Sequence, residues 1–293
     1  MNALSKIKAF LIATRPKTLA ASTVPVLIGT AAASKYSYID IKIFFLILIC
    51  AAFMQILSNY LNELYDFKHG ADTIDRIGPK RMVASGIISP NEMLLVSIFL
   101  TIITFTIGLE IVEYSDIYIL IVGILSLFFA FAYTGGPYPL AYKGLGEIFV
   151  FIFFGLVAVN GTFYIFTKEV NLISLLSSLP PAFHSVNLLA INNIRDIDTD
   201  RKVGKITLAV KIGRENALML FKVLVFLSYI PPIVLSYITN NFLFLLVFIS
   251  LPIAAKLIID ITRKSGKELN LLIALNSLLM LFFCLVFCLS FIL

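Results

Sequence analysis

Residues 43–66 read IFFLILICAAFMQILSNYLNELYD. From Ile43 to Met54 the run carries no charge, and together with its continuation to Asp66 it reaches the roughly 20 residues that a bilayer crossing needs. The second part keeps an apolar ground but adds Gln55, Asn59, Asn62, Glu63 and Asp66. Their steps of four, three, one and three fall on one stripe of an α-helix. Such a stripe has to face protein or a watery cavity, because an ionised carboxylate at the bilayer centre costs at least ~2.5–3.5 kcal/mol. This one segment therefore implies membrane helices around an interior space, with polar groups gathered toward one end.

The rest of the chain extends the pattern. Of its 293 residues 60% are hydrophobic and 14% charged, against about 25% charged in a soluble domain, and the mean hydropathy is +0.99. The strand alternation of a membrane barrel is absent, so the fold class is an all-α polytopic membrane protein. Nine spans are expected, near 17–34, 43–65, 89–111, 116–134, 145–166, 172–194, 217–238, 241–260 and 269–291, in a single transmembrane domain over 1–293. Met1 to Thr14 is mildly basic and amphipathic without a small-residue cleavage site, and reads as retained. Cys50, Cys284 and Cys288 lie in apolar spans and read as small hydrophobes. All but Lys35, Lys42 and Lys168 of the 23 Lys and Arg residues fall at the N-terminus and in the loops on that same side. This puts those loops in the cytoplasm, at the cytoplasmic (inner) membrane. The net charge of +6 is accounted for by topology and anionic membrane lipid, with no nucleic-acid partner.

The chemistry lies in two short stretches. Beyond Asp66 come Asp72 and Asp75, then Arg76, Lys80 and Arg81. About 130 residues later Asn192, Asp196 and Asp200 step by four on one helix face, with Asn193 beside them. Arg195, Arg201, Lys202 and Lys205 are interleaved, and Asp198 points elsewhere. Both clusters end a span at the same membrane face. Carboxylates facing each other with few neutralising partners repel strongly in a low dielectric, unless divalent cations lie between them. Oxygen ligands point to Mg2+ bound together with a substrate phosphate, and the interleaved bases to the grip on that phosphate. The implied substrate is a diphosphate. A third segment, Tyr133 to Lys143, has paired glycines and two prolines and forms a turn at the same face, from which Tyr142 and Lys143 close the site. Asp75, Glu92 and Asp198, taken singly, read as solvated charges. His184 is expected in a buried hydrogen-bonding role. Asn160 and Asn187 are open between interhelical bonding and substrate contact, and the phenylalanines read mostly as lipid-facing or core, with some open to lining a tunnel that steadies a carbocation.

At these residues the chain resembles the UbiA superfamily of intramembrane aromatic prenyltransferases. Its N-D-x-x-D motif stands here as Asn62-Glu63-Leu64-Tyr65-Asp66, and its D-x-x-x-D motif as Asp196 to Asp200. R-P-K-T-L from Arg15, D-T-x-D-R-I-G-P from Asp72 and Y-T-G-G-P-x-P-L-A-Y from Tyr133 resemble the branch that prenylates 1,4-dihydroxy-2-naphthoate. So do G-L-G-E from Gly144 and the long run Asn192 to Val210. The match runs in order over nearly the whole chain. Glu63 departs from the usual aspartate, keeping the charge on a longer arm. The resemblance implies nine helices in two halves around a cavity that opens laterally to lipid. It also implies Mg2+-assisted ionisation of a polyprenyl diphosphate, attack by the naphthoate ring, and loss of CO2 to give demethylmenaquinone. Asn62, Glu63, Asp66, Asp196 and Asp200 would hold the metal–diphosphate unit, the four acids as metal ligands. Arg81, Lys143 and Lys205 would take diphosphate oxygens. Arg15, Asn59, Asp72, Arg76, Tyr142 and Asn192 complete the substrate-binding set. A sibling prenyltransferase with another acceptor remains open, as does a secondary transporter, which also carries acids in two related halves.

Overall fold

The computed structural model describes residues 3–72 and 76–293, so Asp75 lies outside the described residues. Among the described residues ten helices follow one another. α1 (Ala3–Ala13) precedes a short 3-10 turn at Pro16–Thr18, then come α2 (Ala20–Ala33), α3 (Ile41–Lys68), α4 (Pro90–Glu113) and α5 (Ile117–Ala132). α6 (Gly146–Thr167), α7 (Leu172–Lys202), α8 (Leu208–Thr239), α9 (Phe242–Arg263) and α10 (Gly266–Ile292) complete the bundle. Seven of these are long and apolar enough to cross a membrane, and α2 and α5 are shorter apolar helices. Together they match the nine expected spans.

Local sequence sets where the helices begin. Asp40 accepts the Lys42 and Ile43 amides at the start of α3, and Ser89 with Glu92 forms a capping box at α4 behind Pro90. Asp116, Asn171 and Thr207 do the same for α5, α7 and α8. The last of these lies ahead of the expected start near 217. Helix α8 begins at Leu208 and breaks at Gly213, whose φ of 81° is not helical. The basic residues there had made the segment read as loop. Likewise α3 and α7 run past the expected span edges to Lys68 and Lys202, carrying both acidic motifs on helix as their spacing implied.

Short α2 is the hub, packing against α3, α6, α7 and α10. The main core joins α2 to the second half, around Phe221, Phe244, Phe283 and Phe287. A further row of large apolar side chains on α4, including Leu95, Phe99 and Ile102, is exposed and faces outward, as a lipid-contacting surface does. Asn160 accepts a 2.7 Å hydrogen bond from Ser174, so of the two roles left open for it the structure shows the interhelical bond. His184 is buried, yet neither ring nitrogen has a protein partner. Its ring instead packs edge-on against Phe283, while Asn276 donates to its backbone carbonyl. The three cysteines are free thiols.

Two glycines allow the closest approaches. Within α6, Ile152–Val157 widens into a π-helical turn, a local feature that relieves the i→i+4 ladder. There a Cβ on Gly155 would stand 2.7 Å from Ala182 Cα, next to Pro180 and Pro181 of α7. A Cβ on Gly29 would stand 2.6 Å from Val159 O. Replacing Gly155 with valine should cost about 1–3 kcal/mol, the usual range for overpacking. It should lower the melting temperature in detergent, whereas Gly161→Ala, with nothing within 4 Å of its Cβ, should not. Equal melting temperatures for the two variants would remove Gly155 from this role.

Candidate active site

The last turns of α3 and α7 end at the same place. Gly204, at φ 73°, turns the chain back after α7, and Lys205 then reaches across to Asp66 with Nζ 3.2 Å from Oδ1. That contact ties the turn that follows the second acidic motif to the first motif. Asp66 also accepts from Tyr142 Oη at 2.8 Å and from Arg81 Nη2 at 2.8 Å, and is only 2% exposed. The ammonium of Lys205 lies 5.0 Å from the centre of the Tyr142 ring. Three loops therefore close on one carboxylate.

The neighbouring contacts tie the same segments. Glu63 accepts the backbone amides of Met82 and Val83, fixing the loop that carries Arg81; the longer arm spans α3 to that loop. Asp72 holds Arg76 at 2.7 Å and lies 3.4 Å from Arg81 Nε. Asp196 is paired with Arg195 through Nε and Nη2, at 2.8 and 2.6 Å, and Arg195 Nη1 donates to Asn270 on α10. Gly78 lets this guanidinium in, since a Cβ there would stand 2.8 Å from Arg195 Nη2. Asn62 accepts from Thr134 at 2.9 Å, and Asn59 donates to Thr14 O and Thr18 Oγ1 at 2.9 and 3.2 Å. The latter pair holds the turn bearing Arg15, whose backbone is left-handed at φ 50°.

The expected shortage of neutralising partners is not what the structure has. Five carboxylates, Glu63, Asp66, Asp72, Asp196 and Asp200, are set among Arg15, Arg76, Arg81, Arg195 and Lys205. Basic residues that were read as phosphate contacts serve also as counter-charges, as a buried carboxylate requires. Burial pushes Asp72 up to about 6 and lowers Arg15 from its usual value. For Lys205 burial acts downward but is outweighed by Asp66 and Asp200, so its value is raised.

Among the described residues no group of three acids, histidines or cysteines is poised to enclose a metal ion. Yet the donor set is all oxygen, and the buried Asp72 Oδ2 has no hydrogen-bond partner. Buried Arg15 Nη2, Arg76 Nε and Arg81 Nη1 are likewise unpartnered. Buried donors left unpaired are costly, and aligned guanidinium donors suit phosphate oxygens. The residues therefore fit a divalent cation that arrives with an anionic ligand.

Arg15, Asn59, Asn62 and Asn192 line the mouth of a cavity of about 330 Å³. Beyond them the lining turns apolar and reaches Ile47 and Ile111. Lys143 is not brought to this site. It is exposed, and its ammonium lies over the Tyr138 ring at 5.3 Å. Asp198 is exposed as expected. Three polar partners stayed unassigned in the sequence: Arg195 as the clamp on Asp196, Thr134 on Asn62, and Glu147, which accepts from Asn193 at 2.8 Å. Adjacent opposite charges signalled the first; nothing local signalled the other two.

Residues 22–278 match the UbiA prenyltransferase family. The chain is 34% identical to a 1,4-dihydroxy-2-naphthoate octaprenyltransferase of Bacillus subtilis (strain 168), over 90% of this chain and 85% of the relative. It is 32% identical to the enzyme so named in Haemophilus influenzae, over 97% and 96%. In fold it is similar to a UbiA homolog from Aeropyrum pernix K1 (TM-score 0.72, 18% identity, 92% of this chain and 96% of that one). A UbiA homolog from Archaeoglobus fulgidus, solved bound to GPP and Mg2+, superposes with a TM-score of 0.66 at 20% identity, over 95% and 99%. With its membrane helices and the ends of both motif-bearing helices tied together through Asp66 and Lys205, this chain is an integral membrane member of the UbiA prenyltransferase family.

Proposed function

We propose that the protein transfers a polyprenyl group from its diphosphate to 1,4-dihydroxy-2-naphthoate, releasing diphosphate and CO2 and giving demethylmenaquinol, the hydroquinone form of demethylmenaquinone. The observation that carries this is the junction of a charged cluster, spanned by Asp66 and Lys205, with an apolar cavity whose mouth is Arg15, Asn59, Asn62 and Asn192. A diphosphate head on a hydrocarbon tail has that same division. The naphthoate acceptor rests on the relatives' named activity. The basic end is assigned to the cytoplasmic face of the inner membrane by the loop charges.

Glu63, Asp66, Asp196 and Asp200, with Asn62 beside them, would hold Mg2+. When bound, it supplies positive charge to the departing diphosphate. Arg15, Arg76 and Arg81 donate their unpaired N–H groups to diphosphate oxygens, and Lys205 adds its ammonium. The allylic C–O bond breaks with its electron pair leaving on diphosphate. The rings of Phe129, Phe149 and Phe153, packed together at 4.9–6.2 Å on the cavity wall, face the resulting cation and keep water away. The ring carbon that bears the carboxylate forms the new C–C bond. Loss of CO2 then returns an electron pair to the ring, so no side chain has to take a ring proton.

Purified protein given Mg2+ and a polyprenyl diphosphate should convert 1,4-dihydroxy-2-naphthoate to demethylmenaquinol, read as demethylmenaquinone after oxidation in air, with release of CO2, and should prenylate 4-hydroxybenzoate far more slowly. The reverse preference would reassign the acceptor. Asp66→Asn and Asp196→Asn should each lower kcat by about 10²–10³-fold, the scale for losing one group that stabilises developing charge, with the protein still membrane-inserted. Chelation of divalent cations should abolish turnover and Mg2+ should restore it; full activity after thorough chelation would end the metal assignment.

A further inference from the structure

The donor has a place for its head at the charged end and for its tail along the apolar wall, while the acceptor ring still lacks a partner. A flat, hydroxylated ring has to meet the allylic carbon where Phe129, Phe149 and Phe153 gather. It leaves water to do so, and its hydroxyls then need partners on the wall. Ser126 and Thr162 offer none, since each hydroxyl there is bonded to its own helix.

Tyr133 is placed differently. It lines the cavity and keeps helical geometry at the end of α5, about one turn beyond Phe129 on the same face. Its backbone is held on both sides, the amide donating to Phe129 O at 2.9 Å and the carbonyl accepting from Ala141 at 2.8 Å. The side chain lies over the first turn of α6. A Cβ on Gly146 would stand 2.9 Å from Tyr133 Oη and 3.3 Å from Leu189, another cavity residue. Among the described residues Oη has no hydrogen-bond partner. The next residue, Glu147, is buried, and one of its oxygens accepts from Asn193 at 2.8 Å. This bond locks α6 to α7 beside Asn192, which faces the cavity. The other oxygen is buried without a partner, so the neighbours use the bond and not the charge.

We propose that Tyr133 Oη receives the acceptor hydroxyl next to the ring carbon that bears the carboxylate, and that Glu147 with Asn193 is the positioning pair that holds this wall. The inference rests on the naphthoate reading above and goes further, because that reading gives the acceptor no residue. As the ring's electron pair forms the new C–C bond, positive charge spreads onto the neighbouring hydroxyl, and its hydrogen bond to Oη strengthens. The bond to the carboxylate then breaks, its electron pair returns to the ring, CO2 leaves, and the hydroxyl keeps its proton. Tyr133 thereby favours the charged intermediate over the bound acceptor.

The test compares wild type, Tyr133→Phe, Glu147→Ala and Glu147→Gln in Mg2+. Donor affinity is read by competition with geranyl thiolodiphosphate, which resists ionisation, and acceptor affinity with that analogue bound. The acceptors are 1,4-dihydroxy-2-naphthoate, kept reduced, and 4-hydroxy-2-naphthoate, which lacks only the hydroxyl in question. Wild type should prefer the first by about tenfold, the scale of one hydrogen bond left unmade. Tyr133→Phe should lose most of that preference and turn over more slowly, with donor affinity unchanged. Glu147→Ala should weaken the preference, and Glu147→Gln, which still accepts from Asn193, should restore it. A Tyr133→Phe variant that keeps the full preference, or that loses donor affinity as far as acceptor affinity, would overturn the contact. Equal losses in the two Glu147 variants would overturn the positioning role. Wild-type protein that binds the donor analogue but neither naphthoate would instead overturn the acceptor reading, and the Tyr133 contact with it.

Discussion

In a bundle solvated by hydrocarbon, an ionised side chain has to find its counter-charge inside the protein or stay near an end of the bundle. The structure meets both conditions at one spot, the carboxylate of Asp66. It receives Lys205 from beyond α7, Tyr142 from the turn between α5 and α6, and Arg81 from the loop before α4. Each donor belongs to a different connection, so forming the charge pairs also brings the loops together. The length of α3 is set by this demand. Asp66 sits within a turn of the helix end at Lys68, and a helix stopping at the bilayer-crossing minimum would not have delivered it.

The two halves use the same spacing differently. Asn62 with Asp66 and Asn192 with Asp196 each step by four, and in both helices the asparagine lines the cavity while the aspartate enters an ion pair. Asp196 is clamped by its sequence neighbour Arg195, a local pair that α7 carries with it. Asp66 depends on residues 15, 76 and 139 positions away. The first motif is thus positioned by tertiary structure and the second largely by its own helix. With five carboxylates among five cations, the cluster is near neutrality as it stands. A divalent cation and a diphosphate entering together change that balance little, whereas either alone would leave charge uncompensated in a poorly solvated place.

Periodicity alone made the helix count and the polar stripe of α3 legible, because lipid leaves the backbone few alternatives. It failed where the signal was charge. Arg214 and its basic neighbours made the start of α8 read as loop, while the Thr207 cap begins the helix there. The convergence of the two motifs was legible from their shared membrane face. The pairing within it was not, because whether Lys205 meets Asp66 depends on the reversal at Gly204. Lys143 shows the same limit from the other side. Its position in the turn suggested the site, yet Gly144, with φ 67°, lets Lys211 fold over it and donate to the Lys143 carbonyl, and the Lys143 ammonium rests on Tyr138. Thr134 and Glu147 stand inside the family-like runs from Tyr133 and Gly144, yet nothing in those runs names Asn62 and Asn193 as their partners.

The distribution of polarity along the cavity separates an enzyme from a carrier. A transporter with sites in two related halves needs its polar groups near the midplane, where each half can release them in turn. Here the cavity's charged and amide groups gather toward its mouth, and its deeper wall is built from side chains such as Val26, Ile47 and Phe153, with the hydroxyls of Thr104, Ser126 and Thr162 bonded to their own helix backbones. Of the polar residues deep in α7 and α10, His184 and Asn276 are buried in the contact between those helices, with Asn276 bonded to the His184 carbonyl, while Ser185 brings only an uncharged hydroxyl to the cavity wall. A charged head can therefore be held only at the basic end, while the deep wall offers a hydrocarbon chain what lipid offers it. Such a site retains an amphiphile in one orientation, with its reactive carbon at the boundary between the two environments. Fixed orientation at a charged, water-poor boundary favours breaking the bond between head and tail and gives no route for passing the intact molecule across.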